Sequence, residues 1–310
     1  MASNGVEEHR EVEFKTVDSL TLRGKVYAAA ERGPAVIITP GLNFPALNLY
    51  LDVAAAFQRA GVTALVYDNR CVGASDGEPR GESDPVKQIG DLHEAVSFVR
   101  RLPTVDPKRI ALWGYSLSGA CALSAAALDR RVKAVVAVCP AQPLDVENAA
   151  RRNRYLALAI QDRESRARGN DPLTLPFVGL GDADDAVFNF RLFFGTDPGM
   201  MDPEVAVEGL EKAVPGYNNQ IPVRALANIA AWSFRHLLPF IGNIPVLQVE
   251  AGDEELEYIK RQYGPVFEAL VGPKERVVVP GKGHMDILSQ DERFAGTVKV
   301  MSDFVLKHLG

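Results

Sequence analysis

Hydrophobic residues in the first half of the chain form short, nearly unbroken runs that alternate with longer segments of helical spacing. Four such runs have the composition of strands covered on both faces, and they lie at 35–39, 63–67, 109–113 and 132–138. Between them, the segments at 50–60 and from Pro85 onward place apolar residues on one helix face. Repeated strand–helix units of this kind predict a mostly parallel sheet with right-handed crossovers.

Further strands are predicted toward both ends of the chain. Alternating apolar and polar residues at 12–15 and 20–23 indicate an antiparallel hairpin with one face in solvent. Apolar runs at 245–250 and 276–279 resume the earlier pattern, and an amphipathic helix at about 293–309 ends it. The expected fold is therefore α/β, with a mostly parallel, eight-stranded sheet covered by helices on both faces.

The strand–helix pattern is interrupted between residues 140 and 243. Charged helical stretches such as 151–168, and an apolar one at 226–238, replace the buried strands, and glycine- and proline-rich breaks separate them. We expect a helical insertion at 140–243, after the sixth strand. It would divide an α/β core into a first part at 1–139 and a second part at 244–310.

A sharp turn is predicted directly after the run at 109–113. The sequence Gly114-Tyr115-Ser116-Leu117-Ser118 leads into a helix of small apolar residues, which places Ser116 at the corner between strand and helix. Such a corner strains the backbone, lifts the serine hydroxyl clear of the sheet and needs small residues two positions away on each side. A short string of this kind can also lack catalytic meaning, but the strand–turn–helix context favours a nucleophile.

A serine nucleophile needs a base to take its proton and an acid to orient that base. His284 follows the strand at 276–279 in a glycine-rich turn, where a catalytic histidine is expected. The remaining histidines are interpreted as surface or core-edge residues: His9, His93, His236 and His308.

Three carboxylates follow the strand at 245–250, where the acid should lie. The common spacing after the loop glycine selects Glu255, with Asp253 as the alternative acid and a solvated charge run as the non-catalytic interpretation. The backbone N–H groups of Leu117 and Leu42 are the expected oxyanion donors, because one follows the nucleophile and the other follows an earlier strand.

The amino-acid composition limits the kinds of partner and cofactor that the protein is expected to bind. The chain has 310 residues, of which 47% are hydrophobic and 24% charged, and its net charge of -6 gives no reason to expect nucleic acid or an anionic membrane as a partner. The three cysteines, Cys71, Cys121 and Cys139, predict neither a disulfide framework nor a zinc site. No ligand cluster or phosphate-binding loop indicates a metal or organic cofactor, and the polar N-terminus favours a cytoplasmic protein.

Four motifs resemble those of the α/β-hydrolase superfamily with a serine nucleophile. They are Pro-Gly-Leu-Asn at 40–43, Asp-Asn-Arg-Cys-Val-Gly-Ala-Ser-Asp-Gly at 68–77, Gly-Tyr-Ser-Leu-Ser-Gly at 114–119 and Gly-His-Met-Asp at 283–286. Ser118 departs from the usual glycine, and Cys71 stands where an Arg-Gly pair is common. The motif around Ser116 and the Tyr-Asp-Asn-Arg loop are most similar to the fungal polyketide transferase and thiohydrolase group.

The resemblance implies a serine hydrolase or acyltransferase that acts on an ester or thioester with a polyketide-like or other medium or long acyl group. Ser116 would carry the acyl group from a substrate presented by an acyl carrier protein or coenzyme A to water or an alcohol. The alternatives are a C–C bond hydrolase or cyclase with the same serine and histidine, and a non-catalytic binding protein. A homodimer is one candidate for the oligomeric state.

The resemblance also implies that the insertion is a lid over an apolar acyl channel. Aromatic residues of the insertion could line this channel or form the lid's own core: Phe188, Phe190, Phe193, Phe194, Trp232 and Phe234.

Overall fold

The computed structural model describes residues 9–46, 50–144, 149–179, 186–188 and 203–310. The strands are β1 Arg10–Lys15, β2 Thr21–Tyr27, β3 Gly33–Thr39, β4 Thr63–Tyr67, β5 Val105–Tyr115, β6 Val132–Val138, β7 Thr174–Pro176, β8 Gln220–Pro222, β9 Val246–Ala251 and β10 Lys274–Val279. The helices are α1 Leu51–Arg59, α2 Pro85–Val99, α3 Leu117–Leu128, α4 Ala149–Ala167, α5 Pro203–Ala213, α6 Val223–Ala231, a 3₁₀ helix Arg235–Ile241, α7 Glu257–Ala269 and α8 Phe294–Leu309.

The main sheet has eight strands in the order β1-β2-β4-β3-β5-β6-β9-β10. The pair β1–β2 is antiparallel, as alternation in the first two strands predicted. The pair β2–β4 is antiparallel as well, and the other pairs are parallel. Because β3, β5, β6, β9 and β10 run in the same direction, their carboxyl ends lie at one edge of the sheet. The prediction of a mostly parallel, eight-stranded α/β sheet is confirmed.

Helices cover both faces of the sheet. Apolar residues of α2 and α3 pack on one face, and those of α1 and α8 pack on the other. Helix α3 is buried along almost its whole length, which its alanine-rich sequence allows because small side chains let a helix approach a sheet closely. Because α3 is held in the core, its first turn lies directly next to Ser116, the residue that precedes the helix.

The chain between β6 and β9 forms helices and a short two-stranded sheet. Helices α4, α5 and α6 lie in this segment, and the three-residue strands β7 and β8 pair in antiparallel orientation. Arg224 of α6 and Glu82 of the core form an ion pair that ties the segment to the core. The limits of the insertion at 140 and 243, and its status as a lid, stay predictions. None of the helices in the described ranges has both the length and the apolar composition that a membrane crossing requires.

Candidate active site

Ser116 lies at the turn between β5 and α3. Its backbone adopts φ 55° and ψ -120°, and its N–H donates to the carbonyl of Val138 at 2.8 Å. A side chain at Gly114 would overlap the carbonyl of Ser118, so the turn requires glycine at that position. Ser118 is itself small and buried, and Nδ2 of Asn69 donates to its hydroxyl at 3.4 Å. The strained corner expected from the sequence is therefore present.

His284 reaches Ser116 from the loop that follows β10. Its Nε2 lies 3.0 Å from Oγ of Ser116, and both residues are buried. The hydroxyl of Tyr115, the residue before the serine, donates to the carbonyl of His284 at 2.5 Å and so links the two loops directly. The structure thus brings the predicted nucleophile and base within hydrogen-bonding distance.

The carboxylate that faces the ring of His284 belongs to Glu254, not to the predicted Glu255. Oε2 of Glu254 lies 3.0 Å from Nδ1 of His284, and the Glu254 side chain is fully shielded from solvent. Counting residues from the loop glycine selected Glu255, whereas the carboxylate at the ring lies one position earlier. The physical reason is that Gly252 and Asp253 bond by their N–H groups to the carbonyls of Val279 and Lys282, which turns residue 254 inward.

Glu255 and Asp253, the two acids considered from the sequence, point elsewhere. Glu255 is exposed, and its Oε2 accepts a hydrogen bond from the backbone N–H of His284 at 2.8 Å. Asp253 is exposed as well. Glu255 therefore supports the loop that carries His284, whereas Glu254 alone of the three contacts the imidazole ring.

These contacts determine the protonation of the imidazole. An ionised carboxylate only accepts hydrogen bonds, so Nδ1 carries the proton toward Glu254 and Nε2 is left free to accept from Ser116. Burial alone would lower the pKa of His284, but hydrogen bonds with Cys139 and Glu254 and the negative charge on that side raise it above its ordinary value of 6.5. The arrangement can move a proton from a serine hydroxyl to the imidazole.

The two predicted oxyanion donors flank Ser116. Leu117 is the first residue of α3, where a helix presents N–H groups without intrahelical acceptors. Leu42 lies in the loop after β3, and this loop passes close to the nucleophile: a Cβ added to Gly41 would lie 3.6 Å from Cβ of Ser116 and 2.9 Å from Cδ1 of Tyr115. Both N–H groups are therefore near the serine, and their role as donors stays a prediction.

A narrow apolar cavity with a volume of about 30 Å³ opens beside Ser116 and His284. Leu42, Phe44, Leu256 and Met285 of the core form one part of its wall, while Pro143, Phe177 and Phe188 of the segment after β6 form the other. The ring of Phe177 meets those of Phe44 and Phe188 edge to face, with centroids 5.7 and 5.2 Å apart. The cavity therefore offers an apolar group a binding surface next to the serine.

The aromatic residues named from the sequence have different places. Phe188 lines the cavity, whereas Trp232 and Phe234 stack on each other with centroids 5.7 Å apart, and Phe234 is completely buried. Phe190, Phe193 and Phe194 lie outside the described residues. Phe177 was not singled out from the sequence, because an isolated aromatic residue in an irregular segment carries no periodic signal.

Cys139 is a further neighbour of the histidine that the sequence did not reveal. Its thiol, a carboxylate oxygen of Glu254 and a ring nitrogen of His284 lie within 4.8 Å of one another, and all three residues are buried. Glu254 and His284 already bond to each other, and His284 also contacts Ser116, so the group is arranged for proton transfer. The absence of a metal cofactor stays a prediction.

Comparison with known proteins identifies the family. The model of the alpha/beta hydrolase family matches residues 36–297, which span β3 to α8. The chain belongs to the alpha/beta hydrolase family. This confirms the fold class and the resemblance inferred from the sequence motifs.

Two fungal relatives are similar to this chain over nearly its whole length. The chain is 50% identical over 299 residues to the thiohydrolase apmlB of Arthrinium phaeospermum, with 96% of each chain covered. It is 37% identical to the polyketide transferase af380 of Aspergillus fumigatus, with 96% of this chain and 98% of the relative covered.

Solved structures of alpha/beta hydrolases are similar over nearly the whole chain. DcsB in complex with its substrate analogue is 33% identical with a TM-score of 0.85, covering 97% of this chain and all of that one (100%). The alpha/beta hydrolase GrgF from Penicillium sp. sh18 is 35% identical with a TM-score of 0.81, and 97% and 99% of the two chains are covered. The chain is thus an enzyme with hydrolase or transferase activity.

Proposed function

We propose that this enzyme is a serine hydrolase or acyltransferase that forms an acyl-enzyme on Ser116. His284 is the base and Glu254 is the acid that orients it. The observation that carries the proposal is the continuous line of 3.0 Å contacts from Ser116 Oγ to His284 Nε2 and from His284 Nδ1 to Glu254 Oε2. A nucleophile, a base and an orienting carboxylate in this geometry are the parts that acyl transfer requires.

In the first half of the reaction, Oγ of Ser116 attacks the acyl carbonyl carbon while its proton passes to Nε2 of His284. The carbonyl oxygen becomes an oxyanion, which the N–H groups of Leu42 and Leu117 stabilise. The bond to the leaving thiol or alcohol then breaks, and His284 returns the proton to the leaving sulfur or oxygen. The acyl group remains on Ser116 as an ester.

In the second half, His284 takes a proton from water or an alcohol, whose oxygen attacks the acyl-enzyme. The same oxyanion forms again, and Ser116 leaves with the proton that His284 held. Water gives a free acid and an alcohol gives a new ester. Glu254 stabilises the imidazolium ion in both halves without taking the proton.

An apolar acyl thioester or ester is the substrate class that we propose. The cavity beside Ser116 is lined almost entirely by apolar and aromatic side chains, which favours an acyl chain over a charged group. Relatives named thiohydrolase and polyketide transferase support a thioester donor with a polyketide-like acyl group. An acyl carrier protein or coenzyme A would present such a thioester.

Labelling with a fluorophosphonate probe, followed by intact-protein mass spectrometry, tests the nucleophile. We expect one adduct on the parent protein and none on Ser116→Ala. Release of thiol from medium-chain acyl-coenzyme A should likewise fall by about 10³-fold or more in Ser116→Ala. Full turnover in the folded variant would refute the acyl-enzyme mechanism, and cleavage of a C–C bond without labelling of Ser116 would favour the alternative chemistry.

A further inference from the structure

One oxygen of Glu254 receives two side-chain hydrogen bonds. Oε2 accepts from Nδ1 of His284 at 3.0 Å and also from the phenol of Tyr263, a residue in the middle of α7. The other oxygen, Oε1, accepts from the backbone N–H of Leu256 at 3.2 Å. The carboxylate is therefore held at both oxygens, and Tyr263 bonds to the same oxygen that orients the histidine.

A carboxylate in this position needs such donors because it is fully buried. Removing an ion from water costs free energy unless hydrogen bonds or opposite charges replace the lost hydration. Within the part of the chain that the structure describes, the ion-pair partner of Glu254 is His284, which is charged only while its ring is protonated. When the ring is neutral, Tyr263 and the Leu256 N–H supply the stabilisation.

We propose that Tyr263 is a positioning residue, whose phenol holds the Glu254 carboxylate against Nδ1 of His284 throughout the catalytic cycle. The inference rests on the proposed function, because it assumes that His284 acts as the base. It goes beyond that function by assigning a role to a residue that contacts neither the acyl group nor the reacting atoms.

Tyr263 is itself fixed by bonds that continue away from the site. Its backbone carbonyl accepts from Nε2 of Gln248 on β9 at 2.9 Å, and that nitrogen also donates to Oε1 of Glu250 at 2.5 Å. Arg276 on β10 donates to Oε2 of Glu250 at 2.6 Å. Helix α7 is thereby joined to two neighbouring strands of the sheet, so the phenol is presented to Glu254 from a rigid element.

The groups that face Glu254 come from several elements. Besides His284 and Tyr263, they are Cys139, which directly follows β6, and Tyr115 at the end of β5. Burial and the nearby Cys139 and Glu254 raise the pKa of Tyr263 well above its ordinary value, so the phenol stays protonated and continues to donate. Its loss should therefore leave Glu254 with one donor fewer at every working pH.

The test compares Tyr263→Phe with the parent enzyme on a p-nitrophenyl acyl ester and on an acyl-coenzyme A thioester. We expect kcat to fall by about 10- to 100-fold, the usual effect of losing a hydrogen bond to a charged group, while KM changes by less than about 2-fold. Without the phenol, the negative charge of Glu254 acts more fully on His284 and raises the pKa of the imidazole further, so the acidic limb of the kcat/KM profile should move to higher pH.

Two further variants separate positioning from packing. Tyr263→His retains an N–H donor and should recover part of the lost kcat. Tyr67→Phe is the matched control, because it removes a buried phenol oxygen that has no hydrogen-bond partner among the described residues, and it should leave both rate and pH profile unchanged. Melting temperatures of all variants establish the folded fraction.

Unchanged kcat and pH profile in Tyr263→Phe would overturn the inference. A loss of activity in Tyr263→Phe that equals its loss of folded protein, without a shift of the acidic limb, would also overturn the inference. Fluorophosphonate labelling separates these outcomes from a failure of the proposed function. If the parent enzyme is labelled on Ser116, the acyl-enzyme mechanism stands, even where Tyr263→Phe behaves like the parent.

Discussion

The backbone N–H of His284 donates a hydrogen bond to Oε2 of Glu255 at 2.8 Å, while the ring of the same histidine faces Glu254. Two adjacent glutamates thus contact one histidine, one through its backbone and the other through its side chain. Only the contact to the ring can select the tautomer and stabilise an imidazolium ion. The two glutamates should therefore differ sharply in their effect on the rate.

Glu254→Gln should lower kcat/KM by about 10²- to 10⁴-fold, because an amide cannot supply the charge that stabilises the imidazolium ion and can favour the wrong tautomer. Glu255→Gln keeps an oxygen that can accept from the His284 N–H, and we expect a loss of less than about 10-fold. Steady-state kinetics on one acyl ester measure both effects. Asp253→Asn, a change at an exposed loop residue, is the control and should match the parent.

A larger loss in Glu255→Gln than in Glu254→Gln would show that Glu255 is the acid after all, as the residue spacing had suggested. Equal, small losses in both would mean that neither carboxylate orients the base. Circular dichroism of each variant confirms that the rates refer to folded protein.

The pH dependence of the rate should reflect the environment of His284. Hydrogen bonds and negative charge outweigh burial and raise the pKa of the imidazole above 6.5. The proposed mechanism needs the neutral ring, so kcat/KM should rise with pH through that raised pKa, and the acidic limb should lie above the range of an unperturbed histidine. A profile of kcat/KM from about pH 5 to 10 tests this.

The Glu254→Gln variant tests whether the negative charge of Glu254 raises the pKa of His284. Removing the negative charge should lower the pKa of His284, so the acidic limb of the residual activity should move to lower pH. This is the opposite of the shift expected for Tyr263→Phe. A limb that stays in place in Glu254→Gln would contradict the assignment of the limb to His284.

The sheet and the serine corner could be predicted from the sequence because their signals are local. The strand expected at 63–67 agrees with β4, and that at 132–138 agrees with β6. The corner at Ser116 follows from the small residues that a tight turn requires. Such features depend on neighbouring residues in the chain, and composition and periodicity record them directly.

The choice of the carboxylate that faces His284, and the support of that carboxylate by Tyr263, could not be predicted, because both depend on distant contacts. Asp253, Glu254 and Glu255 are chemically alike, and the choice among them is made by hydrogen bonds to the loop after β10, some thirty positions along the chain. Tyr263 lies on α7, a helix that the pattern between 250 and 276 did not reveal because its buried residues are few and partly polar. Which of three adjacent loop residues points inward does not alter the pattern of apolar and polar positions in the sequence.

The three cysteines should resist alkylation while the protein is folded. Cys71, Cys121 and Cys139 are all free and buried, and burial raises the pKa of Cys71 to about 11 and that of Cys121 still further. Because the thiolate is the reactive form, iodoacetamide near neutral pH should modify none of them in the native enzyme and all of them in denaturant. Mass spectrometry counts the adducts. Rapid modification of Cys139 in the native state would instead reveal a solvent path behind His284.

The ion pair between Glu82 and Arg224 should contribute to stability because it is partly buried and joins the core to α6. Arg224 donates from Nε to Oε1 of Glu82 at 2.5 Å, and Asn228 lies 3.4 Å from the same oxygen. Arg224→Met leaves the buried carboxylate without its cation and should lower the free energy of unfolding by about 1–3 kcal/mol. Urea unfolding measures the loss, which should be smaller in Glu82→Gln/Arg224→Met than the sum of the single changes.

Lys212 provides the matched comparison for Arg224, because it also pairs with a glutamate in the segment after β6, but at an exposed position. Its Nζ lies 3.0 Å from Oε2 of Glu208, and the two side chains are 77% and 65% exposed. Lys212→Met should change the free energy of unfolding by less than about 0.5 kcal/mol, since solvent screens such a pair. Equal effects of Lys212→Met and Arg224→Met would mean that burial adds nothing to the Glu82–Arg224 pair. A loss confined to Arg224→Met, together with additive double-variant energies, would place the effect on the packing of the Arg224 side chain rather than on the ion pair.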